Sequence, residues 1–233
     1  MKPRVRHVMA HSPLLPAFLL LFFALCCGME ASLVSFWKLE GSPVDTAGTQ
    51  PALWSGTAAY SSLTAAPGSS QAATVAAGSH LRAGTGLNFE STSAFSAAAW
   101  IKGNAQDSTI IGDMRQGGTY TGWELHVGTV ENGAAPRTLV VWLISSYPAN
   151  AIQVNTASIV LDNTWHHVAF TYDGSKTAGG VRIYVDGVAV TTFPGLNNLS
   201  GSIANGTAAE LNLGSRNNGA AHSFTGALDE VAL

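Results

Sequence analysis

The chain is short of cysteine, of charge and of helical periodicity, and each shortage excludes something. Its two cysteines, Cys26 and Cys27, close one apolar run near the start, so every later residue must be held without disulfides, by core packing or a metal ion. Charged residues make up 11% of the chain and form no basic cluster, which excludes a polyanion such as nucleic acid as partner. No segment repeats its apolar residues every 3.6 positions, which excludes a helical bundle. The chain also has no G-x-S-x-G elbow, no H-E-x-x-H and no G-x-x-x-x-G-K phosphate loop, and Gly84-Thr85-Gly86 lacks the third glycine of a dinucleotide-binding turn.

What the first 31 residues do have is the layout of a secretory signal. Lys2, Arg4 and Arg6 give a basic start, and AFLLLFFALCC from Ala17 to Cys27 follows. That run is shorter than the about 20 apolar residues needed to cross a bilayer. Cleavage is expected after Gly28 or, preferably, Ala31, and the bulky residues before Cys26 argue against a lipid-anchored cysteine. The expected mature chain, 32–233, is one secreted or cell-envelope domain with eight basic and thirteen acidic residues, a net charge of −5.

That mature part is rich in Gly, Ala, Ser, Thr and Asn, with apolar runs of four to nine residues between turn residues, the pattern of many short strands. Strands are expected at 34–39, 56–60, 80–83, 95–102, 109–113, 122–128, 138–145, 151–156, 165–172, 181–185, 188–193, 210–214 and 224–232. The stretch 61–78, SSLTAAPGSSQAATVAAG, has too few large apolar residues to pack and is expected to be a surface excursion. Asp186-Gly187 between IYV and VAV signals a tight hairpin, because a type I′ turn needs positive φ at both central positions. In WHHVAFTY, Val168, Phe170 and Tyr172 share one face.

Around Leu161–Val190, and in FWKLEGSPVDTAG, FSAAAWIKGNAQDSTIIG, GWELHVG and FTGALDEVAL, the sequence resembles the LamG-like jelly-roll domains of the laminin G and concanavalin A-like lectin/glucanase superfamily. The resemblance spans residues 33–233 and implies an all-β fold, an antiparallel two-sheet β-sandwich. The family pattern usually runs a few residues past ALDEVAL, which implies a clipped last strand. Glucanases of this superfamily carry E-x-D-x-x-E on one strand, and that spacing is absent, so no enzyme is expected.

In relatives, the positions of Asp45 and Asp229 often help bind a structural Ca²⁺. The resemblance therefore implies a Ca²⁺ site for this pair, against the alternative of two turn-capping aspartates. His166 and His167, adjacent on a strand, face opposite ways and cannot easily share an ion. Trp37, Trp100 and Trp165 occupy positions that resemble core positions. Tyr120, Trp123, Trp142 and Tyr147 remain as candidates for stacking on a ligand. The resemblance implies a non-catalytic binding module for carbohydrate or a glycosylated surface. The alternative is a structural or adhesive envelope protein that contacts other proteins.

Overall fold

Phe95–Gly103 alternates buried and half-buried residues along its nine positions, so Phe95, Ala97, Ala99 and Ile101 enter the core and Ser96, Ala98, Trp100 and Lys102 do not. A segment with that period needs a partner on either side, and both exist. A computed structural model describes residues 32–57, 59–62, 69–115, 117–129 and 133–233. Within them the strands are β1 (Phe36–Trp37), β2 (Leu53–Ser55), β3 (Tyr60–Ser61), β4 (Ala72–Val75), β5 (His80–Arg82), β6 (Phe95–Gly103), β7 (Ser108–Gly112) and β8 (Gly122–Val127). There follow β9 (Leu139–Ser146), β10 (Asn150–Thr156), β11 (Trp165–Tyr172), β12 (Val181–Val185), β13 (Val188–Ala189), β14 (Thr192–Asn197), β15 (Asn212–Leu213) and β16 (Gly226–Ala232).

All pairings between these strands are antiparallel. One sheet runs β13-β12-β11-β6-β16-β4-β3, with β1 also on β16; the other runs β14-β10-β9-β8-β7-β15-β5-β2. Between the sheets lie Trp37, Leu81, Phe95, Ile101, Ile111, Trp123, Leu125, Phe170, Leu213, Phe224 and Leu228, all buried. Phe95 sits at the centre of the aromatic packing, with the rings of Phe89, Trp123, Phe170 and Tyr172 within 5.8 Å of its own. The fold is the two-sheet sandwich the sequence implied. No helix among the described residues is long and apolar enough to cross a membrane. The proposed signal segment, 1–31, lies outside the described residues.

The hairpin forms as expected: Asp186 and Gly187 have φ of 50° and 78°, and Val185 pairs with Val188. Three expectations need correcting. The stretch 61–78 is not merely a surface excursion, because β4 within it is a buried strand between β16 and β3. Ala72, Ala73 and Val75 are buried, and Val75 packs so close to Gly214 that a Cβ there would collide with it. Among the described residues of the strand expected at 56–60 only Tyr60, in β3, is in a strand, and Gly56 (φ 82°) passes so close to the Gly78 carbonyl that a Cβ would collide with it. The strand expected at 188–193 changes sheets: β13 lies on β12, and β14 pairs with β10 in the opposite sheet. Trp37 is in the core as expected. Trp100 and Trp165 are only half-buried, Trp100 sitting edge-on to His167.

Candidate functional site

The second sheet buries residues on both of its faces. Along β8 the residues Trp123, Leu125 and Val127 point into the core, which turns Gly122, Glu124 and His126 outward. Register carries that face across the sheet. Glu124 pairs with Trp142 and Trp142 with Gln153, while His126 pairs with Val140 and Val140 with Asn155. Two rows of side chains therefore cross the outer face, and Gln153 Nε2 donates to Asn155 Oδ1 at 2.7 Å.

Glu124 is fully buried, and its charge is matched by Arg216, which arrives from the segment after β15. Oε2 accepts from Arg216 Nε at 3.0 Å and from Thr109 Oγ1 at 2.9 Å, and Oε1 pairs with the other arm of the guanidinium. Burial alone would raise this carboxyl, but Arg216 and then His126 hold it down at about 2. The neighbouring Asp113 goes the other way. Burial pushes it up to about 8, although its Oδ1 accepts the Trp123 amide at 2.9 Å.

Above these rows is a small aromatic group. Tyr120 and Tyr147 meet edge to face with centroids 5.9 Å apart, Tyr147 and Trp142 do the same at 5.7 Å, and the Arg216 guanidinium lies 5.5 Å over the Tyr120 ring. Tyr147 is carried by the short turn between β9 and β10. Tyr120 stands beside the paired residues Arg115 and Thr121, which lead into β8. Together with Gln153 and Arg216 they line a hollow of about 100 Å³. Met114, Ala134, Val140, Ile144 and Ala151 form the apolar bed beneath.

Asp107, His126 and His222 close one end of the same hollow. The carboxylate Oδ1 of Asp107 lies 2.9 Å from His222 Nδ1 and 3.4 Å from His126 Nε2. The second nitrogen of His126 faces Glu124 Oε1 at 3.3 Å. Asp107 is held at about 2, first by its hydrogen bond from His126, then, against the opposing effect of burial, by His222 and by the charge of His126.

The structure brings together three of the four expected aromatic residues: Tyr120, Trp142 and Tyr147. Trp123 is a correction. It is fully buried on the core side of β8 against Phe89, Phe95 and Phe170, because its neighbours Leu125 and Val127 set that face as interior. Asp45 and Asp229 are engaged by different backbone amides. Asp45 Oδ1 accepts the amides of Phe36 (2.9 Å), Ala47 (3.1 Å) and Gly48 (2.8 Å), and Oδ2 accepts that of Gln50 (3.0 Å). Those four amides make Asp45 the cap of this loop. Asp229 is buried, with Oδ1 on the Glu230 amide at 3.0 Å, and its carboxyl is pushed up to about 6, chiefly by burial. His166 is fixed between Asp186 (Nδ1, 2.7 Å) and Asp162 (Nε2, 3.3 Å), and His167 turns to the other face.

Glu124, His126, Arg216, Asp107 and His222 were not singled out from the sequence as site residues. For two of them a signal existed, because Trp123-Glu124-Leu125-His126-Val127 alternates perfectly and places Glu124 and His126 on one face.

Comparison with known proteins bears on the fold. No curated protein matches the chain. Among solved structures, domain 4 of AbnA, a GH43 extracellular arabinanase from Geobacillus stearothermophilus in complex with arabinotriose, superposes with a TM-score of 0.64 at 19% identity, over 88% of this chain and 92% of that one. The binding domain of Paraclostridial Mosquitocidal Protein 1 gives 0.56 at 16% identity, over 86% of this chain and 48% of that one. A Trypanosoma rangeli sialidase in complex with 2,3-difluorosialic acid gives 0.51 at 15% identity, over 88% of this chain and 31% of that one. The family model of laminin G type, described as the concanavalin A-like lectin/glucanases superfamily, matches residues 68–233, and the chain belongs to that superfamily.

Proposed function

We propose that this protein is a secreted, non-catalytic binding module that takes carbohydrate in the hollow on the outer face of its second sheet. The observation that carries this reading is the convergence of Tyr120, Trp142 and Tyr147 with Gln153 and Arg216 around one hollow. Sugars present apolar C–H faces and a rim of hydroxyls, and aromatic rings beside fixed polar groups complement both. The arabinanase domain, of similar fold, was solved in complex with arabinotriose, which makes arabino-oligosaccharides the first ligands to try.

The carboxyls argue against hydrolysis. A glycosidase needs an acid and a second carboxylate that both reach the sugar. Glu124 and Asp113 have sharply different proton affinities, as such a pair would, but neither lines the hollow and both oxygens of Glu124 are taken by Arg216 and Thr109, so among the described residues Asp107 lines it without a second carboxylate beside it.

Calorimetry against arabino-oligosaccharides, with a glycan array for other sugars, tests the reading. Tyr147→Ala, at a half-exposed turn position, is expected to weaken binding about tenfold, equivalent to about 1.4 kcal/mol, without lowering the melting temperature appreciably. Absence of binding to every glycan sinks the carbohydrate reading and favours contacts with protein.

A further inference from the structure

We infer that Asp107, His126 and His222 form a binding site for one divalent transition-metal ion of the zinc type, with its open positions facing the hollow. The three come from separate places: Asp107 just before β7, His126 near the end of β8, and His222 in the loop before β16. One donor atom from each lies within 4.8 Å of the other two. Tetrahedral donors bonded at about 2.0–2.2 Å stand roughly 3.3–3.6 Å apart, so small rotations of the side chains would close the set around an ion. Two imidazoles and one carboxylate suit zinc and its neighbours; calcium wants six to eight oxygens.

The surroundings of His126 supply an independent argument. It is almost wholly buried on a strand in the middle of a sheet, with Nε2 toward Asp107 and Nδ1 toward Glu124 Oε1 at 3.3 Å. A ligating histidine characteristically turns its other nitrogen to a carboxylate or carbonyl, and here the buried Nδ1, which makes no hydrogen bond of its own, has within reach a carboxylate clamped by Arg216 and Thr109. Asp107 and His222 both occupy the left-handed backbone region, with φ of 51° and 53°, a conformation that costs energy and collects at functional sites. By contrast, His166 meets its two aspartates through opposite nitrogens, so those groups cannot converge on one ion.

The inference is independent of the carbohydrate reading and is tested without sugar. Equilibrium dialysis of the metal-free protein against Zn²⁺ is expected to give one ion per chain, and Co²⁺ in its place should show visible d–d absorption. His222→Ala and Asp107→Asn, both on loops, are expected to bind Zn²⁺ at least about 100-fold more weakly and to lose the Co²⁺ bands, with folding checked by circular dichroism. His166→Ala should bind as the parent does. Retention of no Zn²⁺ by the parent, or equal binding by the parent and by His222→Ala and Asp107→Asn, would overturn the site.

Discussion

At the scale of single residues, Glu124 and Arg216 organise the outer face of the second sheet. Two charges out of water are tolerable only as a pair, and here the pair is bidentate and Thr109 satisfies a further lone pair. Removing one partner leaves the other buried and uncompensated. Glu124→Gln and Arg216→Met are each expected to destabilise the fold by about 3–5 kcal/mol, and the double variant by less than the sum. Urea denaturation at unchanged slope measures this. The effect of Glu124→Gln should also depend on pH with a definite sign. Its carboxyl titrates near 2 in the folded chain and near 4.5 when free, so the stabilisation is complete above about 4.5 and is lost as the pH falls toward 2. A penalty as large at pH 2.5 as at pH 6 would show that the charge pair is not its source.

At the scale of elements, the loop between β1 and β2 is built on one side chain. Four backbone amides that would otherwise lack partners donate to Asp45, and they hold its carboxyl low despite partial burial. Asp45→Ala is therefore expected to cost about 2–4 kcal/mol and to do so equally with and without added Ca²⁺. A loss of stability confined to Ca²⁺-containing buffer would instead make Asp45 a metal ligand. The same scale shows what could be read in advance. The ends of β11 and β12 follow from β-branched and aromatic alternation and from the Asp186-Gly187 turn, all local signals. β4 escapes such reading because Ala72 and Ala73 look featureless until β16 and β3 lie beside them. In LVVWLI every residue is apolar, so no alternation tells which way Trp142 points, and only pairing with Glu124 and Gln153 settles it. Asp107 and His222 are 115 positions apart in the chain, and no spacing rule reaches that far.

At the scale of the whole molecule, residues 33–233 contain no cysteine, and the sandwich is held without disulfides by packing and buried polar groups. Those polar groups impose a stability profile in pH. Asp113, raised to about 8, and Asp229, raised to about 6, keep protons in the folded chain at pH values where the unfolded chain has lost them. Between about pH 4 and 8 these two carboxyls make stability fall as the pH rises, while His80 and His167, both lowered chiefly by burial, work in the opposite sense around the ordinary histidine range. His166, raised by Asp186 and Asp162 against the opposing effect of burial, adds to the fall as the pH rises through its folded value. Glu124 and Asp107, both held at about 2, act oppositely, but only below about pH 4.5. Above the histidine range Asp113 is left to act, and stability is expected to decline between about pH 7 and 8 by on the order of 1 kcal/mol per pH unit for its one proton. Asp113→Asn keeps an oxygen for the Trp123 amide and removes the proton. It should leave the acid side unchanged, flatten the decline between about pH 7 and 8, and be more stable than the parent at pH 8. Urea midpoints measured across pH 3–9 for the two proteins decide the matter, and parallel curves would mean that Asp113 is ionised in the folded chain.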